Sequence, residues 1–533
     1  MDDGASIDEE SSVPFLNERS SPLESDQGYA KPWLTGIQRP RTPSRLLIAI
    51  LLTCCGTSLP FGFALAVINL PQKIFENFVN ESYLAHGDVY LNASELNALW
   101  SFIVASFTLG GAIGGLIGSP LAEKIGRKWG LLCTAVITIL GSVLASLSYT
   151  TNSYEMFTIG RTVTGLSSGI GSTLLSIYLS EISPVMLRGF SGGFQEIFIV
   201  FGKLLAQVVS LPVFLGSKHL WPYLVGLPCI NGVLILISLP FLPKTPKYIR
   251  SKRPSDDDNT TLLKSIRFYH GSRAPVSQTI DQFDRELALV RSEISWREIL
   301  KSPIFRKCLT MAVAIRAAQE LTGITAIANF STEIFKNLQF NDSFAMYNSI
   351  GLAAVGTVIT SFAVFLVEHL GRRPLLVYGL LGTLLCDLVF MVSAVIVDYR
   401  PEAEWASYLC LIVFYVHVFI FSIGPGPVGW LIVPELVPQA ARSSVTSVGV
   451  FVNWTSNLLV TAAFLPLRNA CGNFSFLLFV APLAVLTAYL LVKLPETKNK
   501  PVDQIVLEMV HGRSAVALVE PPSPTESHYR TFD

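Results

Sequence analysis

The chain carries Glu123-Lys-Ile-Gly126-Arg127-Lys128 and, much later, Glu368-His-Leu-Gly371-Arg372-Arg373. The second copy follows the first at an offset of 245 (371 − 126). Each copy closes an apolar run and sets a carboxylate, a glycine and a pair of cations after the glycine within six residues. A second matched pair stands beyond each. Glu181 precedes Arg188 by seven residues, and Glu435 precedes Arg442 by seven, at an offset of 254 (435 − 181). Two matched pairs at nearly one offset predict two homologous halves in a parallel repeat, with a ligand site between them.

The residues around these pairs say what each half is made of. Half of the 533 residues are hydrophobic and 15% are charged, against roughly a quarter charged in soluble proteins. A spanning helix needs about 20 mostly apolar residues. Such runs centre near Gly56, Phe107, Val136, Leu166, Val200 and Val233, then near Ala317, Val355, Leu385, Phe419, Phe451 and Val485. The predicted fold is an all-α membrane protein with twelve transmembrane helices in two six-helix bundles. The expected divisions are a disordered tail at 1–45, a first bundle at 46–243, a polar linker at 244–307, a second bundle at 308–500 and a disordered tail at 501–533. Asp256-Asp257-Asp258 bars the linker from the bilayer. No cleavable signal peptide is expected, because the first apolar run, near Leu46, is long enough to stay in the membrane.

Loop charge sets the expected orientation. Residues 71–95 hold Lys73 against Glu76, Glu81, Asp88 and Glu95, whereas Arg39, Arg41 and Arg45 precede the first span and Arg372 and Arg373 follow the eighth. Basic loops face the cytoplasm, so both termini and the linker are expected inside. Asn80 and Asn92 head sequons in a predicted outer loop and are the expected glycosylation sites. Asn341 and Asn473 head others in or near outer loops. Asn259, Asn329 and Asn453 head sequons expected to be silent.

Net formal charge is zero, so nothing suggests nucleic acid as a partner. Cys54, Cys55, Cys133, Cys229, Cys308, Cys386 and Cys410 lie in or beside apolar runs and Cys471 stands alone; no metal spacing appears, and packing is their expected role. No metal and no cofactor are expected. Gly111/Gly115 and Gly114/Gly118 have the spacing that lets membrane helices approach closely. Gly424-Pro425-Gly426-Pro427 is expected to break the tenth span where it lines a cavity.

With these residues in hand, residues 46–500 resemble the facilitative glucose transporters, the sugar porters of the major facilitator superfamily. The resemblance rests on the two Gly-Arg motifs, on Gly160-Arg161, on Glu181 with Arg188-Gly189, and on Gln319 with Leu321-Thr322-Gly323-Ile324. It rests also on Gly424 to Trp430 with Pro434-Glu435-Leu436, on Asn453-Trp454-Thr455-Ser456-Asn457, and on Pro495-Glu496-Thr497-Lys498. It implies short helices in the linker and alternating access around a central site, at the plasma membrane. The implied inner gate comprises Glu123, Arg127, Arg161, Glu181, Arg188, Glu368, Arg372, Glu435 and Arg442.

The implied solute site comprises Gln195, Glu196, Gln207, Gln319, Glu320, Thr325, Trp430, Asn453 and Asn457. Several of these depart from the family pattern. Glu320 stands where a second glutamine is usual, Thr325 where an asparagine is, and Glu196 where the fifth-helix glutamine is. Gly356 replaces an asparagine and Gly429 a proline. Lys203, seven residues after Glu196, and Arg316, an i,i+4 neighbour of Glu320, add charge at bilayer depth. Intramembrane charge marks a pathway, relay or ligand site. Three readings stand: the charges pair and the cavity takes a neutral sugar, they bind a charged or zwitterionic solute, or a glutamate couples transport to protons. Asp387 and His417 are expected to be polar packing. The function expected is a carrier of a hexose or related polyol by facilitated diffusion. A nutrient receptor is the alternative of another class, and no enzyme constellation is present.

Overall fold

The computed structural model describes residues 43–87, 90–184, 187–252, 260–272, 275–290, 296–400 and 402–498, with 500, 505, 506, 508 and 509 beyond. Nearly all of both tails, the Asp256 to Asp258 run and the Asn259 sequon lie outside the described residues. The first half contains α1 (Ser44–Ala66), α2 (Gln72–Gly87), α3 (Ala93–Ile125), α4 (Arg127–Thr151), α5 (Tyr154–Ile182), α6 (Arg188–Val209), α7 (Trp221–Gly226) and α8 (Pro228–Ser238). The linker forms α9 (Pro246–Lys252), α10 (Thr260–His270), α11 (Val276–Val290) and α12 (Trp296–Lys301). The second half contains α13 (Pro303–Leu321), α14 (Ile324–Asn337), α15 (Asp342–Leu370), α16 (Arg372–Tyr399), α17 (Glu404–Ile423), α18 (Pro425–Leu436), α19 (Gln439–Cys471) and α20 (Leu477–Lys493).

Among the described residues, ten segments are long and apolar enough to cross a membrane. The other two spans are α5 and the α13–α14 pair. Their polar residues lower their mean hydropathy: Arg161 and Glu181 in α5, Arg316 and Glu320 in α13. All four are buried in the bundles. The twelve spans are therefore α1, α3, α4, α5, α6 and α7–α8, then α13–α14, α15, α16, α17–α18, α19 and α20. Each expected centre falls inside its helix or helix pair.

Glycine sets how closely the helices meet. A Cβ on Gly110 would lie 2.0 Å from the Thr162 carbonyl oxygen, and one on Gly165 would lie 1.9 Å from that of Phe107. The α3 and α5 backbones touch because neither residue has a side chain. A second glycine row on α3 faces the other half: Gly111 lies under the Trp454 ring of α19, where a Cβ would fall 2.3 Å away.

The repeat is visible in the backbone. Gly126 has φ 90° and ψ 159°, and Gly371 has φ 95° and ψ 160°. That region is open essentially to glycine alone, and it turns the chain from one span into the next. Arg127 Nη1 then donates to the Ala122 carbonyl, and Arg372 Nη1 to the Val367 carbonyl, five residues back in each half.

Two spans are broken at depth. Gly323, at φ 78°, separates α13 from α14; the sequence reading did not foresee this break. Gly424 separates α17 from α18, as expected.

Candidate solute site between the bundles

A cavity of about 80 Å³ lies between α6 on one side and α14, α15 and α17–α18 on the other. That is room for a few waters and far less than the roughly 300–1,000 Å³ of ligand pockets, so the cavity is contracted in this conformation. Glu196, Lys203 and Gln207 line it from α6; Ser331, Gly356 and Ser422 face them. These α6 residues are seven and four apart, two turns and one turn, which puts them on one stripe.

The C-terminal half of the site closes on Glu320. Thr325 Oγ1 donates to Glu320 Oε2 at 2.7 Å, Asn457 Nδ2 to the same oxygen at 2.9 Å, and Asn453 Nδ2 to Oε1 at 2.9 Å. A glutamine here would offer one acceptor oxygen; the carboxylate offers two and holds three donors from α14 and α19. Asn457 Nδ2 also reaches Thr325 Oγ1 at 2.9 Å.

Arg316 points elsewhere. Its Nη1 donates to Gln319 Oε1 at 3.3 Å, and its guanidinium lies over the Trp430 ring. Among the described residues it forms no direct ion pair with Glu320, so the i,i+4 spacing does not become a contact. Gln319 Nε2 donates to the Gly426 carbonyl at 2.9 Å. A Cβ on Gly429 would fall 2.9 Å from the Gln319 amide, so a bare glycine lets Gln319 reach the broken span.

On the side that carries α2, the two halves are latched. Asn69, just beyond α1, donates from Nδ2 to the Ala328 carbonyl at 3.0 Å and to Ser331 Oγ at 2.9 Å. Gln72 Nε2 donates to Glu76 Oε1 and to Glu333 Oε2, both at 2.7 Å. Nothing in the local sequence marks these residues, because their partners lie about 260 positions away.

On the linker side each half ties its own charges. Arg127 contacts Glu181 at 2.8 Å, and Thr245 Oγ1 donates to Glu181 Oε2 at 2.6 Å. Arg372 contacts Glu435 at 3.3 Å, and Thr497 Oγ1 donates to Glu435 Oε2 at 2.6 Å. The threonines repeat at an offset of 252 (497 − 245), a third matched pair that the sequence reading had not used. Arg442 Nε donates to the Val437 carbonyl. The Arg188 Nε is buried. Glu123 is exposed. The Glu368 side chain lies outside what the structure describes.

The family model for sugar (and other) transporters matches residues 49–508. The chain belongs to this family. It is 33% identical over 471 residues to solute carrier family 2, facilitated glucose transporter member 1 of Gallus gallus, spanning 88% of this chain and 94% of that protein. It is 34% identical to member 4 of Homo sapiens, over 87% of this chain and 91% of that protein. In fold it matches the partially occluded, inward-open xylose transporter XylE from E. coli, with a TM-score of 0.70, 23% identity, and coverage of 86% of this chain and 100% of that one. XylE bound to 6-bromo-6-deoxy-D-glucose, a proton:xylose symporter, matches with a TM-score of 0.72 and 22% identity, over 87% and 98%. The protein is thus a multi-pass membrane transporter of the major facilitator fold.

Two expected site residues of the transporter lie elsewhere. Arg161 does not stand with Arg127 and Glu181 on the linker side. Ser82 of α2 accepts from the Tyr154 amide and ties the start of α5 to the α2 side, so Arg161 lies about 30 Å from Glu181 along the helix. It donates to the Ala64 carbonyl and faces the Phe107 ring. Gln195 is turned from the cavity: its Oε1 accepts from Ser176 and its Nε2 donates to the Ser172 carbonyl, both on α5. Adjacent residues on a helix lie 100° apart, so Glu196 takes the cavity and Gln195 the bundle.

Asp387 Oδ1 and His417 Nδ1 stand 3.2 Å apart inside the second bundle. Asn92 is exposed and caps α3 through Oδ1, and Asn80 accepts from the Leu91 amide through Oδ1. Asn473 is buried, with Nδ2 given to Ala394 and Asp398, which leaves no free amide for a glycan.

Proposed function

We propose that the protein is a plasma-membrane carrier that moves a hexose or related polyol by facilitated diffusion, through alternating access of two bundles. The first bundle is residues 46–243, the second 308–500, and 244–307 the linker between them. The observation that carries this reading is the contracted cavity between two repeated halves, with Glu196, Lys203 and Gln207 on its α6 wall, latched at Asn69 on the α2 side. Asn69 supports an outer gate, and the Arg–Glu–Thr clusters support an inner one. The basic residues beside α4 and α16 support a cytoplasmic linker and termini, with α2, Asn80 and Asn92 outside. The relatives named as facilitated glucose transporters support a hexose as cargo.

The test is uptake of labelled glucose and fructose into proteoliposomes of purified protein, with and without an inward proton gradient. Saturable uptake without a gradient is the expected result. No uptake of either sugar by folded protein overturns the reading. The Glu196 carboxylate in the cavity favours a second reading, proton symport; uptake that requires the gradient would establish it.

A further inference from the structure

The groups that a hydroxylated solute would meet are not the neutral amides of the second half. Asn453, Asn457 and Thr325 give their donors to Glu320. Gln319 binds the Gly426 carbonyl, and Arg316 covers the Trp430 ring. On this side the protein occupies its own donors and its own aromatic face. Three groups on α6 remain turned to the cavity: the Glu196 carboxylate, the Lys203 ammonium and Gln207. Gln207 Oε1 is buried and has no hydrogen-bond partner among the described residues; the residue is 4% exposed.

The charges around this cavity balance. Glu196 lies in the field of Lys203 on its own helix and of Arg316 and Glu320 on α13 of the second half. Two anions and two cations sum to zero. Among the described residues, none of the four is in a direct ion pair. Glu320 is held by its three donors, and Arg316, whose Nε has no partner among the described residues, is turned to Gln319 and Trp430; of the four, Glu196 and Lys203 are the pair that lines the cavity.

Resting on the carrier function proposed above, we infer that Glu196 and Lys203 select the net charge of the solute, admitting a neutral polyhydroxylated sugar and rejecting its amino and acidic analogues. A sugar hydroxyl donates to the Glu196 carboxylate and another accepts from the Lys203 ammonium. Both are charge-assisted hydrogen bonds, roughly twice as strong as neutral ones. An amino sugar or a sugar acid adds a unit charge to a site whose charges already cancel, with no counter-charge at hand in a poorly solvated cavity. Removing one member unbalances the site. Lys203→Gln leaves an excess anion and should favour a cation; Glu196→Gln leaves an excess cation and should favour an anion.

The experiment is uptake of labelled glucose, glucosamine and glucuronate by reconstituted wild type, Lys203→Gln, Glu196→Gln and the exchange variant Glu196→Lys with Lys203→Glu. Wild type should prefer glucose. Lys203→Gln should raise the glucosamine-to-glucose ratio, and Glu196→Gln the glucuronate-to-glucose ratio, each about tenfold or more, the worth of one charge-assisted hydrogen bond. The exchange variant keeps the net charge and should keep the preference for glucose, which separates charge selection from misfolding. Unchanged ratios in both single variants, with glucose uptake intact, would overturn the inference and leave the carrier function standing. No uptake of any sugar by folded wild type would sink both.

Discussion

The guanidinium carbon of Arg316 lies 3.8 Å from the centroid of the Trp430 ring. The residue is 1% exposed, and a buried cation is costly unless its charge is met. Here the ring face and the Gln319 amide oxygen meet part of it, and Nε has no hydrogen-bond partner among the described residues. Arg316→Gln and Trp430→Leu should therefore be coupled in a double-mutant cycle of thermal stability, by about 1–2 kcal/mol. The Arg316→Gln and Glu320→Gln pair should couple less, because the two side chains do not touch. Additive effects at Arg316 and Trp430 would remove the stacking role.

Glu320→Gln keeps one acceptor and turns the other oxygen into a donor, facing Thr325 and Asn457. Both of these buried donors then lose that acceptor. The expected loss is about 2 kcal/mol of stability, read from unfolding of the purified protein in detergent. A stability equal to wild type would mean that Glu320 does not hold α14 and α19 together.

Gly110→Ala and Gly165→Ala each press a methyl group against a backbone oxygen at about 2 Å. Neither backbone can yield without parting α3 from α5. Both variants should fail to reach the cell surface, whereas Gly192→Ala, with nothing within 4 Å of its new methyl, should express normally. Surface labelling decides it.

Thr245→Val and Thr497→Val remove the same hydrogen bond, one in each half. If the clusters serve as equivalent parts of an inner gate, both should alter the exchange rate in the same direction, and by a similar factor. An effect confined to one half would show that only that cluster gates.

If the Asn69–Gln72 latch is the outer gate proposed above, it should respond to pH. Burial, with the Glu333 charge, pushes the Glu76 carboxyl above its ordinary value of 4.5, against the opposing Gln72 hydrogen bond and Lys73 charge. The closed latch therefore holds its proton to higher pH than a separated, solvated carboxyl does. Acidification favours closure; the contribution is full below about 4.5 and is lost as pH rises through the raised value. Labelling of Asn337→Cys, which lines the seam, by an impermeant thiol reagent should slow as external pH falls by more than the loss of thiolate alone, measured against an exposed control cysteine. Glu333→Ser should reduce that excess dependence, because burial remains the larger cause of the raised Glu76 value.

Much of this protein follows from its sequence. Apolar length fixed the spans, since a membrane-crossing helix must bury about 20 residues. The offset of the Gly-Arg motifs revealed the duplication, and the positive φ at Gly126 and Gly371 explains why glycine stands in both copies. Gly424-Pro425 announced one broken span, because the sequence there cannot continue a regular helix. Other features depended on packing across sequence distance. Gln195 and Glu196 are neighbours in the chain, and only the rotation of α6 against α5 turned one inward and the other to the cavity. Arg161 looked like its fellow arginines, and only the direction of α5 carried it to the opposite side. Glu320 replaced a neutral amide at one position, but its effect came from α14 and α19, which brought three donors to its two oxygens. Short-range pattern sets where a helix runs and which face is apolar; which polar groups satisfy one another is set by helices that meet from hundreds of residues apart.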